Sequence, residues 1–475
     1  MNHTDLIVPI QSYQSARVSQ PMIATLTSPS DSLTLSQSRP LRYGVFLYLY
    51  IMQGIPSGFY LTALTNYFTS EGVRPNVVGS FVAIIGLPWA FQFIWGPIID
   101  RFQESPMGRR KPWVVGAQLM TVLASCTLLF VGNPVAQITT LAWLFCLRSV
   151  FAAIQDASVD AMAITVIPED ERGRVNAFMR SGFLIGTGIG AAVFATILRN
   201  YGFQTAVLTQ VCLLLTGVIL MAFVREQPTD RLLPSFGLTR RVSDQLTRPD
   251  TARQRSRLVT HHDQPETEPH DFRWLFTELF RGLFARRSLL LFGSIVLAYT
   301  GNALFLRAYN HHLIEELGWR DTDVSVLTGT YGMVVATVIA LTGGYLADRI
   351  GARRLLVIML GVVAVYLISF NLLSGAWIHR DIARTGLVAL YFMDPAVSAA
   401  AMPVLMAICR KGVEGSQFTT YMAFVNLGDI AGTFFAGNAL LYLTAPTIGL
   451  AAGGLAVVAM VVALLTIRHY RNAGV

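Results

Sequence analysis

Apolar runs of about twenty residues, separated by short polar turns, recur from residue 43 to residue 467. They fall at 43–67, 77–99, 113–132, 138–167, 176–198 and 203–224, then at 288–313, 324–347, 355–376, 385–408, 416–441 and 445–467. Each is long enough to cross the hydrocarbon core of a bilayer as a helix. A polar stretch, 225–287, divides the runs six and six. The pattern predicts an all-α membrane protein of twelve transmembrane helices in two pseudo-symmetric six-helix bundles, 43–224 and 288–467. A tail, 1–42, precedes them, 468–475 follows, and 225–287 is the linker.

Within the linker the period changes. Phe272, Leu275, Phe276, Leu279, Phe280, Leu283 and Phe284 follow helical spacing, with Arg273, Glu278 and Arg281 between them. This predicts a short amphipathic helix lying on the membrane face, or else the beginning of the seventh span. The middle of the linker and the Ser-, Thr-, Gln- and Pro-rich tail are expected to be disordered, and the tail has no signal-peptide pattern.

The second span ends abruptly at Asp100-Arg101, and a basic turn, Gly108-Arg109-Arg110-Lys111-Pro112-Trp113, leads into the third. A weaker copy, Gly343-Gly344-Tyr345-Leu346-Ala347-Asp348-Arg349-Ile350-Gly351-Ala352-Arg353-Arg354, lies between the eighth and ninth. Duplication of one turn fits duplicated halves. The turns read either as signals that fix topology or as latches that form in one conformation and break in another, with Gly96, Asp100, Arg101, Arg109, Arg110, Gly344, Asp348, Arg349 and Arg353 as the gating candidates.

Composition narrows the class. Of 475 residues, 53% are hydrophobic and 13% charged, and mean hydropathy is +0.51, too apolar for a soluble domain. The pI near 9.5 comes from arginines in the turns, which argues for positive-inside loops rather than nucleic-acid binding. Arg39, Arg42, Arg101, Arg109, Arg110, Lys111, Arg172, Arg174, Arg349, Arg353, Arg354, Arg410, Lys411, Arg468 and Arg471 fall on one face. Fewer, chiefly Arg74, Arg199, Arg320, Arg380 and Arg384, fall on the other. Both termini are therefore expected in the cytoplasm. Cys126, Cys146, Cys212 and Cys409 lack metal spacing and read as buried thiols. No cofactor is implied, and no ATP-binding loop or nucleophile elbow is present.

These turns resemble those between helices 2 and 3, and 8 and 9, of the major facilitator superfamily. A narrower resemblance rests on Gln53-Gly54-Ile55-Pro56-Ser57-Gly58-Phe59, Leu87-Pro88-Trp89, Phe93-Ile94-Trp95-Gly96-Pro97-Ile98-Ile99-Asp100-Arg101, Gln155-Asp156 with Asp160-Ala161, and Gln417-Phe418-Thr419 with Asn426-Leu427-Gly428. They are similar to the peptide/acetyl-CoA transporter group, which holds AmpG-type muropeptide permeases, acetyl-CoA transporters and siderophore permeases of the RhtX/FptX kind. One position departs: relatives often carry a lysine in the second span where this chain has Gln92.

The candidate chemistry lies inside the spans. Arg148, Ala152, Asp156 and Asp160 recur every four residues on one stripe of the fourth span, flanked by Gln155. Charged residues at membrane depth are costly, so the stripe is expected to face a central cavity. Asp156, Asp160, Asp394 and Asp429 are the proton-coupling candidates. Alternatively, Asp156 and Arg148 form a structural pair, or Asp156 touches substrate. Asp160 could meet Arg180 on the fifth span. Gln53, Tyr60, Gln92, Arg148, Gln155, Asn302, Arg307, Gln417 and Asn426 are the substrate-binding candidates, with Arg307 the expected partner of an anionic group. Each amide reads equally as interhelical glue.

These features predict a monomeric secondary transporter of the inner-membrane type, whose partners are a small-molecule substrate, protons and the lipid bilayer. The expected substrate is polar or anionic, muropeptide or peptide-like, with a ferric siderophore or acetyl-CoA as alternatives. A receptor that keeps the fold without transport, or a membrane acyltransferase, would be the rival readings.

Overall fold

A computed structural model describes residues 34–102, 105–168, 171–232, 272–410 and 414–472. Twelve long helical segments organise them: α1 (39–70), α2 (75–101), α3 (Lys111–Phe130), α4 (Ile138–Val166), α5 (Arg172–Tyr201) and α6 (Phe203–Phe223), then α7 (Arg286–Glu316), α8 (321–350), α9 (Ala352–Leu372), α10 (Arg380–Ala407), α11 (Glu414–Ala439) and α12 (Ala445–Asn472). Among the described residues, ten of these helices are long and apolar enough to cross a membrane. The other two, α1 and α11, carry Gln53 and Asn66, and Gln417, Asn426 and Asp429. The face on which α1 begins and α12 ends is called the terminal face below, and the opposite one the distal face.

Each half has its own apolar core. Phe59, Phe68, Phe81, Phe145 and Phe194 anchor the first, and Phe305, Tyr309, Leu356, Leu387 and Trp377 the second. Helix association in lipid relies on close backbone approach rather than on apolar burial. In α1 and α5 that approach is made by Gly54 and Gly58 against Gly186 and Gly190. A Cβ on any of the four would run into the neighbouring backbone.

Two helices are interrupted where the sequence suggests continuity. α2 changes to a 3-10 turn at Gln92–Ile94, just after Pro88, whose ring cannot donate to the ladder. In α1 a π-helical turn, Phe59–Ala63, follows Pro56. Such turns also occur in α7 at His312–Glu316 and in α8 at Thr328–Gly332.

On the terminal face, segments assigned to tail and linker fold onto the first half. Residues 34–38 pair with the end of α6: Leu35 N donates to Arg225 O (2.9 Å) and Ser36 N to Glu226 O (3.1 Å). Leu35 is fully buried. Arg42, also buried, binds Glu171 at 2.8 Å and donates to the carbonyls of Leu35 and Ser36. Removing one partner of such a buried pair typically costs about 3–5 kcal/mol. Residues 1–33 and 233–271 lie outside the described set.

The basic turn before α3 is gripped by the same clasp. Gly108 has φ +115°, a conformation open to glycine, and a Cβ there would meet Glu226 and Asp230. The Glu226 carboxylate accepts from the backbone N–H of Arg109 (3.0 Å), Arg110 (2.8 Å) and Lys111. An acidic side chain at a helix N-terminus satisfies donors that have no partner within the helix. Burial pushes the Glu226 carboxyl above its ordinary range, against the pull of these three amides.

In the second half, the short helix Phe272–Leu283 buries Leu279 and Leu283 in the core and leaves Phe280 and Phe284 exposed. Its Glu278 binds Arg281 (3.0 Å) and Arg410 (2.9 Å).

A candidate transport cleft between the two halves

The halves meet tightly toward the distal face. Gly188 of α5 lies against Gly329 of α8, and Gly79 of α2 against Gly437 of α11; a Cβ on Gly188, Gly329 or Gly437 would run into the facing backbone, and one on Gly79 would be tight against it. Polar contacts cross there as well. Asn66 donates to Ser325 (3.0 Å), Arg307 to Thr69 (2.9 Å), and Arg199, held by Glu71 of its own half (2.8 Å), binds Asp321 of the other (2.9 Å). Nearer mid-depth, Leu184 packs with Met333, Ala336, Ala340 and Tyr391.

Below this seal, charged side chains are open. Asp160 and Arg180 of the first half and Asp429 of the second are exposed, and Asp394 is half-buried. Charges at this depth face a watered cleft, since lipid would not solvate them. Asp156 lies ten residues from the end of α4, about 15 Å in. Gln53 Nε2 donates to its Oδ1 and Gln92 Nε2 to its Oδ2. No cation lies within 4 Å of Asp156 among the described residues. One turn on, Asp160 accepts from the Tyr50 hydroxyl. In the second half, Tyr299 of α7 and Asp429 of α11 lie within electrostatic range of Asp394 of α10. Tyr50–Asp160 and Tyr299–Asp394 thus occupy equivalent helices, first and fourth in each half. Between them, Arg180 of α5 reaches across to Asp394 at 3.4 Å.

Of the sequence candidates, the structure gathers Gln53, Gln92, Asp156, Asp160, Asp394 and Asp429 at the cleft. Arg148, Gln155 and Tyr60 turn instead into the first bundle. With Gln53, Ser57, Trp89 and Thr121 they line a space of about 10 Å³, the size of one water. Arg148 Nε donates to Ser125 (3.2 Å), so the Arg148–Asp156 pair does not form: Gln53 and Gln92 occupy both Asp156 oxygens, and Arg148 turns toward α3.

Two candidates lie elsewhere. Arg307 is buried in the distal closure rather than in the cleft, because it stands 21 residues along α7, about 31 Å from Arg286. Gln417 is fully buried, takes the backbone N–H of Arg410 in the preceding loop (2.9 Å) and donates to Tyr421 one turn on in its own helix (2.7 Å), so it braces the start of α11 and does not face the cleft. Asn302 keeps a buried Oδ1 without a hydrogen bond, and Asn426 is half-buried.

For the turns, Gly96 is half-buried, Arg109 and Arg110 present their backbone to Glu226, Arg349 stacks on Tyr345 (4.5 Å), and Arg353 is exposed. Asp100 and Arg101 close a helix and Gly344 and Asp348 sit in α8, but their side chains lie outside the described set.

A sequence model of the Major Facilitator Superfamily matches residues 45–293 and 291–474. The chain belongs to that family. Its relatives are transport proteins rather than enzymes. An anhydromuropeptide permease of Escherichia coli (strain K12) is 23% identical over 414 residues, covering 83% of this chain and 74% of the relative. A solved POT family transporter in complex with 5-aminolevulinic acid superposes with TM-score 0.66 at 12% identity, over 92% of this chain and 99% of that one. The nucleoside transporter NupG gives 0.62 at 13% identity, over 90% and 99%. These structures share the fold.

Tyr50, Arg180, Tyr299 and Glu226 complete the arrangement and were not singled out as site residues from sequence. Arg180 carried a signal, being charged within an apolar run. The tyrosines and Glu226 carried none.

Proposed function

We propose that this chain is a proton-coupled symporter that works by alternating access, carrying a polar solute of the muropeptide or peptide-like class. The terminal face is taken as cytoplasmic, so the cleft described here is open inward and sealed outward. The reading rests on Asp156, a carboxylate near mid-membrane held by two amides from α1 and α2 and, among the described residues, by no cation. Such a group is neutralised by a proton more readily than by rearranging a fixed ion pair, and it faces the cleft in which solute would sit. Asp160, one turn nearer the terminal face, provides a second acceptor on the route to the cytoplasm.

Uptake into proteoliposomes under an imposed inward proton gradient tests this, with labelled anhydromuropeptide and a labelled ferric siderophore offered in parallel. Accumulation of the muropeptide that a protonophore collapses is the expected result. Accumulation unaffected by the protonophore would reject proton coupling, and uptake of the siderophore alone would reject the substrate class.

A further inference from the structure

We infer that the Arg180–Asp394 pair is a divided binding site for a zwitterionic group, with the solute's carboxylate going to Arg180 and its ammonium to Asp394. The inference rests on the transport reading above and adds the charge pattern of the substrate.

The contact is unlike a structural salt bridge. At 3.4 Å it is longer than the 2.7–2.9 Å of a charge-assisted hydrogen bond. Its side chains are 45% and 41% exposed, so water and solute reach both. By contrast Arg42–Glu171, closed at 2.8 Å, is 5% and 9% exposed. The two members also belong to different halves, so nothing within one bundle fixes their separation.

Neighbouring groups set the polarity. Among the described residues of the cleft, Arg180 is the cation and Asp156, Asp160, Asp394 and Asp429 are the carboxylates. Of the two acids in the same half as Arg180, Asp156 is occupied by Gln53 and Gln92, and Asp160 by Tyr50. Asp394 has the Tyr299 hydroxyl and the Asp429 carboxylate within electrostatic range, making the second half the side for a positive group. A solute bearing both charges exchanges with the pair at no net change in charge. A purely anionic solute would strip Arg180 from Asp394 and add negative charge to an acidic cleft. A purely cationic one would leave Arg180 without a counter-ion. Because the exchanged charges sit on opposite halves, a zwitterion bridges them.

Equilibrium binding to the purified full chain tests the assignment, using anhydromuropeptide with free peptide amine and carboxylates, its N-acetylated form and its carboxamide form. Each capped form is expected to bind about tenfold more weakly, the size of one half-exposed charge-assisted contact. Arg180→Gln should erase the difference between free and carboxamide forms but keep that for N-acetylation. Asp394→Asn should do the reverse, and Arg180→Lys should restore discrimination in part. The double exchange R180D/D394R keeps a cross-half pair, so its binding can be read in a protein that retains the contact, and it should weaken all three forms. Equal binding of the three forms to the unaltered chain would overturn the inference while proton-driven uptake stood. Capped forms discriminated equally well by both single variants would also overturn it.

Discussion

Gln92 donates its side-chain amide to Asp156, at the position where members of the peptide/acetyl-CoA transporter group often carry lysine. With Gln53 on the other oxygen, the carboxylate is satisfied by hydrogen bonds and has no fixed counter-charge among the described residues. Lysine at this point would supply that charge permanently. Gln92→Lys is therefore expected to reduce proton-driven accumulation at least tenfold while leaving solute binding within about threefold. Transport with an undiminished response to the proton gradient would show that residue 92 does not govern coupling.

Asp156→Asn keeps the size and one acceptor of the side chain but cannot exchange a proton. Accumulation driven by a proton gradient should be lost, whereas solute exchange between preloaded vesicles and medium should persist. Measuring both in one preparation separates coupling from folding. Full gradient-driven uptake by the variant would move the proton site to Asp160, Asp394 or Asp429.

Glu226→Ala removes the acceptor for three backbone donors and should destabilise the first half by about 1–3 kcal/mol. The pH dependence has a definite sign. Burial raises the carboxyl in the folded state, so the folded chain holds its proton more tightly than the unfolded chain. The contribution is complete below the ordinary glutamate range, near 4.3, and is lost as pH rises through the raised value. Thermal unfolding from pH 4 to 8 should show the gap between the two proteins narrowing with rising pH. A widening gap would mean that the three amides outweigh burial.

Gly329→Leu places a side chain where the backbone of α5 lies and should cost about 1–3 kcal/mol through overpacking. The halves should separate on the distal side. In a Thr69→Cys background, where residue 69 is buried in the closure, a membrane-impermeant maleimide added from that side should then react faster, above the background of the four native cysteines. Unchanged labelling would show that the closure does not depend on this contact.

The all-helical fold was legible because apolar runs of bilayer length cannot be hidden in a sequence. Asp156 and Asp160 were legible for a related reason, since charge inside such a run needs a watered cleft. Arg307 was misplaced because its charge was weighed without its depth, and counting along α7 puts it near the distal end. Gln417 and Gln53 could not be told apart by residue type; the partners of each amide are set by tertiary packing. The clasp of residues 34–38 on 225–226, and the grip of Glu226 on the turn before α3, join segments far apart in sequence. Neither leaves a periodicity to read.

The two glycine contacts between the halves have a mechanical consequence. Gly188–Gly329 joins α5 to α8, and Gly79–Gly437 joins α2 to α11, so each pairs a helix with the counterpart of the other's partner. At these two places the backbones themselves touch, so the halves fit there by shape and not by interlocked side chains. Around them Asn66–Ser325, Arg307–Thr69 and Arg199–Asp321 hold the same face by polar contacts. Water or solute that displaced those polar partners would leave bare backbone across the seam, and the hold there would fall to van der Waals contact.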